Sequence, residues 1–403
     1  METLIGLDWS QQRHNICILN PHGAITAQFA IAHSPTGFAE LEQRVTKLGV
    51  TPPACAVALE TAHNLVVDFL WARQFQVYVI APSVLSHSRG RYTTSGAHDD
   101  NRDAFILADL LRTDRNRFAP WQPDGALVRQ LRAQLSLVDN LTKTIVAQQN
   151  RLAAILQRYY PAALHLFGDL TAQITLQFLS RYPSPQAAQS LTAADFVVFC
   201  QKQGYTHPKL VPECYAAFRQ PVPEADSVIV LAYQDETCFV TQLLLTLVQQ
   251  KAHLIREAQR LFAQHPDHAI FATLPGAGDL LAPQLLVLFG DHRERFPTAQ
   301  AAQTLAGTCP VTRQSGKQRR VTFRHACNHD YRLTMQQFAL ASLRESEWTA
   351  TYFQQCRARG HSKSQAYRCL ANRWLAIIWH LWQTRQEYDE ARHLQDIHRQ
   401  RRP

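Results

Sequence analysis

The strongest constraint on the fold is the spacing of apolar residues over the first 115 positions, where strand-length runs alternate with helical ones. "LIGLDWS", "HNICILN" and "AITAQFAIA" have the length and β-branched content of three strands, with the turn "NPHG" (Asn20 to Gly23) between the last two. "PTGFAELEQRVTKLG" repeats apolar residues at helical spacing and ends at Gly49. "ACAVALE" is a buried strand, "NLVVDFLWARQ" a helix and "FQVYVIAP" a further strand. After a polar loop, "RDAFILADLLRT" brings Phe105, Ile106, Ala108, Leu110 and Leu111 together on a last helix. The order strand-strand-strand-helix-strand-helix-strand-helix calls for an α/β sheet with helices on its faces.

That order is ribonuclease H-like, and in such a sheet strand ends and the last helix meet at one edge. Asp8 ends the first strand and Glu60 ends "ACAVALE". In "SGAHDDNRDAFILADLLR" (Ser95 to Arg112), Asp100 and Asp103 stand three residues apart, on one face of the helix they open. Singly, each acid has a plainer reading as a strand-end cap, a surface acid or a charge favoured by the helix dipole. Together they form the set that two-metal phosphoryl chemistry needs. Hard ions such as Mg²⁺ or Mn²⁺ prefer oxygen ligands and clamp the attacking and leaving oxygens of a phosphodiester. Asp99, the extra acid, reads as a helix cap or a neighbouring charge.

"FAPWQPDG" (Phe118 to Gly125) is a linker, and beyond it Leu131, Val138, Ile145 and Leu152 recur every seven residues in a polar background. A second long helix is expected from about Asp226 to Gln264, with small helices such as "TAADFVVFCQKQ" in the insertion at 161–223. The pair predicts an antiparallel coiled-coil arm or a dimerisation element. In "LPGAGDLLA", Gly276 and Gly278 precede an apolar helix, as in helix-hairpin-helix DNA-binding units, where glycines let backbone N–H groups approach a phosphate. An ordinary tight turn is the plainer reading. "TRQSGKQRR" sets Ser315 among Arg313, Lys317, Arg319 and Arg320, bases able to stabilise charge on phosphoryl oxygens. Taken alone, such a loop serine is a phosphate hydrogen-bond donor or has no role. Trp374, Trp379 and Trp382 read as core.

The charge is uneven. Residues 301–403 hold 17 Lys and Arg against 7 Asp and Glu, while the rest of the chain is within one charge of neutral. All of the +9 excess therefore sits in the last quarter, as expected of a polyanion-binding unit. The nine cysteines are scattered without a C-x-x-C pair and read as reduced, mostly buried thiols rather than a disulfide or zinc framework. "HACNH" (His325, Cys327, His329) reads as structural. The N-terminus carries an acid where a signal peptide needs bases, and no run of about eighteen apolar residues is present. The expected location is the bacterial cytosol or nucleoid, with no membrane partner.

The stretches "IGLDWS", "ALETAH", "DDNRDA", "LPGAGDLLA" and "AGTCPVTRQSGK" resemble the DEDD transposases of insertion sequences of groups 110 and 1111, which include Piv-type site-specific DNA invertases. The resemblance covers almost the whole chain. It implies a RuvC-like catalytic domain at 1–117 and a coiled-coil region at 125–265. A mainly α-helical transposase domain would follow at 266–392, with a basic tail at 393–403. It also implies that Asp8, Glu60, Asp100 and Asp103 are the acidic tetrad and Ser315 the nucleophile, forming a covalent serine–DNA intermediate before strand exchange. The partners implied are donor and target DNA, a non-coding bridge RNA, and further copies of the chain as a homodimer assembling to a tetramer. The alternative is a RuvC-like, structure-specific nuclease such as a junction resolvase, with water as nucleophile. An actin-like ATPase is disfavoured because "LDWSQQRH" lacks the glycine its phosphate loop needs.

Overall fold

The computed structural model describes residues 3–62, 64–92, 99–223, 225–316 and 318–400. The chain divides into two compact units, 1–123 and 124–403.

In the first unit the strands are β1 (Thr3–Asp8), β2 (Arg13–Leu19), β3 (Ile25–Ala32), β4 (Cys55–Leu59) and β5 (Gln76–Val79). The helices are α1 (Pro35–Lys47), α2 (Leu65–Ala72), α3 (Pro82–Ser88) and α4 (Asp100–Asp114). The sheet order is β3-β2-β1-β4-β5, with β1 antiparallel to β2 and parallel to β4. Side chains alternate between the two faces of each strand. Ile5, Leu7, Ile16 and Ile18 face one core with Leu41 and Val45 of α1 and Val66, Val67 and Leu70 of α2. Leu4, Cys17, Leu19, Ala56 and Ala58 face the other, with Ala104, Leu107, Ala108 and Leu111 of α4. Each such buried aliphatic side chain contributes about 1.5–3 kcal/mol, so the two faces hold the strand ends in fixed register.

One element departs from the sequence expectation. The stretch after β5 is not simply a polar loop but α3, followed by a single 3-10 turn at Arg89–Arg91. Pro82 starts the helix with its φ preset, and Leu85 is its one buried residue, so no apolar stripe marks it in the sequence. Part of "FAPWQPDG" is pinned to this unit, since the Trp121 N–H donates to the Val77 carbonyl at 2.7 Å.

The second unit is mostly helical. Two long helices, α5 (Ala126–Tyr159) and, after four short ones, α10 (Ser227–Phe262), pack side by side. The short helices are α6 (Pro161–Leu164), α7 (Gln173–Arg181), α8 (Ala193–Lys202) and α9 (Val211–Phe218). The long pair runs antiparallel: Gln134 donates to the Leu254 carbonyl at one end, and near the other Arg151 pairs with Glu236 and the Tyr159 hydroxyl meets Thr237 Oγ1 at 2.8 Å. Leu131, Val138, Ile145 and Leu152 are all buried. By length and hydropathy α10 could cross a membrane; here one face of it packs along α5 and α7.

The remainder comprises α11 (His268–Ala272), α12 (Gly278–Phe289), α13 (Ala299–Leu305), the hairpin β6 (Val311–Ser315) and β7 (Gln318–Thr322), α14 (His329–Ser342), α15 (Glu347–Ala358), α16 (Lys363–Thr384) and α17 (Glu390–Gln400). Trp374 and Trp382 are fully buried, with their indole N–H groups donated to Ser342 Oγ and the Gly290 carbonyl. The half-buried Trp379 donates to the Phe296 carbonyl. All nine cysteines are free; four are buried (Cys17, Cys55, Cys200, Cys356), fewer than the sequence led us to expect.

Candidate active site

The approach of α4 to β1 builds the site. Gly6 lies on the α4-facing row of β1, and a Cβ there would stand 1.8 Å from the Ala104 carbonyl oxygen. Only a glycine lets the helix come this close, and the contact brings the first turn of α4 to the end of β1, where Asp8 follows two residues on. Asp99 is the N-cap of α4, its carboxylate accepting from the Asn101 N–H at 3.1 Å. Asp100 and Asp103 then occupy the first turn. Glu60 directly follows β4, the parallel neighbour of β1.

The four acids form one electrostatic cluster. Asp8 is pushed up from its ordinary 3.8 to about 7, first by burial and then by the like charges of Asp100, Asp103 and Glu60, with Arg89 opposing. Glu60 is also pushed up, by burial and by Asp103, again with Arg89 opposing. Asp99 is absent from both sets of influences. A carboxyl group that ionises near neutrality among three other acids marks a place built for a cation.

Two further residues complete the cluster, and no motif or periodicity marks either of them. Arg89, in the 3-10 turn after α3, grips Asp103 with two hydrogen bonds of 2.9 and 2.7 Å. Asn15 on β2, paired with Asp8 in the sheet register, offers its amide to Asp100 at 3.4 Å.

The donor set fits a hard divalent ion, being all carboxylate oxygen with excess negative charge. The acids are not drawn onto a single point, however. Among the described residues, only Cys356, His361 and Cys369 form a trio of candidate ligands with donor atoms within 4.8 Å of one another. Asp103 has one hydrogen bond from Arg89 on each oxygen, so an ion held by all four acids competes with that guanidinium for Asp103.

The residues proposed to meet nucleic acid lie in the second unit. Ser315 is the last residue of β6, not a loop residue, and pairs with Gln318 across the hairpin. Side chains two apart share a strand face, so Ser315 shares its face with Arg313 and, across the ladder, Arg320. Arg319 opposes Gln314 on the other face. Arg313 and Arg320 stand directly opposite, a destabilising arrangement for like charges, and neither has an ion pair among the described residues. Lys317 lies outside the described residues. Both strands are largely exposed.

Gly276 and Gly278 both have positive φ, 77° and 53°. A Cβ at Gly276 would meet the Ala341 backbone at 2.6 Å, and its N–H donates to Glu345 at 2.7 Å. Packing against α14 is therefore sufficient reason for this glycine. Gly278, with open space around it, begins α12.

Comparison with known proteins bears on both units. A DEDD transposase family model matches residues 5–161, and the model described as "Transposase IS116/IS110/IS902 family" matches residues 268–354. The chain is 31% identical to the "Mini-circle putative transposase for IS117" of Streptomyces coelicolor, over 96% of this chain and 95% of that protein. It is 25% identical to the "Insertion element IS900 uncharacterized 42 kDa protein" of Mycobacterium paratuberculosis, over 96% and 97% of the two chains. It is also 25% identical to the "Insertion element IS110 uncharacterized 43.6 kDa protein" of Streptomyces coelicolor, over 70% of each.

Proposed function

Because the chain belongs to the IS116/IS110/IS902 family of transposases, we propose that it cuts and rejoins DNA strands to move an insertion sequence. The observation that carries this reading is the coupling of Asp8 to Glu60, Asp100 and Asp103, a carboxylate cluster whose charge calls for a cation. In this reading the four acids hold Mg²⁺ or Mn²⁺. Such an ion supplies Lewis-acid stabilisation of charge on the phosphoryl oxygens.

The other roles fall to the chain's own side chains. Asp8, Glu60, Asp100 and Asp103 are the catalytic acids, and Arg89 holds Asp103 until the site is loaded. Arg313, Lys317, Arg319 and Arg320 bind the phosphate backbone and offset charge built up during attack, with Gly276 and Gly278 marking a second phosphate contact, where a phosphate would have to displace the Glu345 carboxylate from the Gly276 N–H. Ser315 is the nucleophile: its Oγ forms a bond to phosphorus as the bond to one deoxyribose oxygen breaks. The serine proton passes to a base, the departing oxygen leaves as a hydroxyl, and the serine–phosphate ester keeps the strand ready for rejoining.

The assembly proposed is a homodimer forming a tetramer across donor and target DNA, with a non-coding bridge RNA choosing the sites. The boundaries 1–117, 125–265, 266–392 and 393–403 would then separate a RuvC-like domain, a coiled-coil region, a transposase domain and a basic tail. In this reading α5 and α10 form the coiled-coil arm, and the protein works in the bacterial cytosol. The test is recombination between donor and target plasmids, with the element's flanking DNA supplied. Wild type recombines them and Asp8→Ala does not; recombination undiminished in Asp8→Ala would sink the proposal.

A further inference from the structure

Away from the acids and the hairpin, the end of α15 and the start of α16 bring together three side chains that the transposition chemistry does not use. Cys356, His361 and Cys369 place their ligand atoms within 4.8 Å of one another, and Cys369 Sγ lies 3.7 Å from His361 Nδ1. Donors held around 2.3 Å (S) and 2.0–2.1 Å (N) from one tetrahedral ion stand about 3.5–3.8 Å apart, so only a small inward shift separates this trio from a coordination shell.

Local backbone chemistry creates the cluster. Helix α15 ends in a left-handed glycine, Gly360 with φ 84°. The Gly360 N–H donates to the Arg357 carbonyl and the His361 N–H to that of Cys356, the paired bonds of a Schellman turn. That turn folds His361 back over the last turn of α15. Ser362 caps α16 through the Gln365 N–H, so the next helix begins at once and Cys369 arrives two turns in. Cys356 is buried and the other two are half-buried, which leaves one side of the trio open to water.

We propose that Cys356, His361 and Cys369 bind one Zn²⁺ ion, with water in the fourth position, as a clip between α15 and α16. Two sulfurs and an imidazole suit a borderline-soft ion and discriminate against the hard ions expected at the carboxylates. Binding converts both thiols to thiolates and releases two protons to solvent, so charge and atoms balance. The clip also has a structural consequence. Arg368, next to Cys369, stacks on Phe323 at 4.7 Å, and Asn372, one turn on, accepts from the Thr308 hydroxyl at 2.8 Å. Both contacts hold the base of the β6–β7 hairpin, so the ion would stiffen the support on which Ser315 sits.

The experiment uses the full chain, purified under reducing conditions, with zinc content measured after dialysis and with Co²⁺ as a spectroscopic probe. Wild type and the exposed-cysteine control Cys238→Ser are expected to hold one zinc per chain and to give a thiolate-to-cobalt charge-transfer band. Cys369→Ser and His361→Gln are expected to lose the zinc, and Cys369→Ser to weaken the band; circular dichroism verifies that both variants fold. Wild-type protein without stoichiometric zinc, or a folded Cys369→Ser that retains it, would each overturn the proposal.

Discussion

Arg89 grips both carboxylate oxygens of Asp103, at 2.9 and 2.7 Å, and so places a cation inside a cluster of four acids. The pair is half-shielded, with side chains 28% and 12% exposed, so it is worth more than a surface ion pair and less than a fully buried one. Arg89→Met is expected to cost metal-free protein about 1–3 kcal/mol in chemical denaturation. Freed from the competing guanidinium, Asp103 should bind Mn²⁺ more tightly in the same variant. Weaker Mn²⁺ binding in Arg89→Met would show instead that Arg89 orients the ligand. Arg89→Lys should not restore the stability, because an ammonium lacks the two-pronged geometry.

The contribution of Asp8 to the pH dependence of metal-free stability has a definite sign. Asp8 ionises at about 7 when folded and near 3.8 when unfolded. Between those values the folded chain keeps a proton that the unfolded chain has lost, so stability falls as pH rises through the window. Glu60, also raised, adds to the same trend above its ordinary 4.5. The buried His14, pushed down to about 4, pulls the other way, so the Asp8 part is read by difference: Asp8→Asn should gain more urea stability over chelator-treated wild type at about pH 8 than at about pH 5. A wild-type difference unchanged by Asp8→Asn would remove Asp8 as its source.

Asp99 and Asp100 are adjacent but differ in role. Asp99→Asn keeps a capping oxygen and should leave recombination near wild type, while Asp99→Ala should cost about 1 kcal/mol of stability. Asp100→Asn should lower recombination by at least the ~10–100-fold typical of lost outer-shell partners of a metal site. The opposite ranking of Asp99→Asn and Asp100→Asn would move the acidic register by one residue.

The first unit was legible because its elements are apolar runs of distinct period, and Asp8, Glu60 and the D-x-x-D pair stand at the ends of those runs. The elements that escaped lack that signal. Helix α3 buries Leu85 alone, and the hairpin of Ser315 is exposed on both faces, so neither shows an apolar stripe or alternation. Arg89 sits in a polar stretch, and its link to Asp103 depends on how α3 is laid against α4. The Cys356, His361 and Cys369 trio escaped for a related reason. Its spacing fits no metal-ligand pattern, and only the reversal at Gly360 brings the three together. Asp99 was legible as a cap because helix starts favour acids for local reasons.

The acidic cluster and Ser315 are proposed to serve one strand-transfer reaction. That is tested most directly by incubating end-labelled element DNA with protein and Mg²⁺ or Mn²⁺, then looking for a protein–DNA adduct on a denaturing gel. The expected result is an adduct with wild type that requires the metal and disappears in both Ser315→Ala and Asp8→Ala. DNA cleavage without an adduct, undiminished in Ser315→Ala, would contradict it and leave a nuclease that uses water.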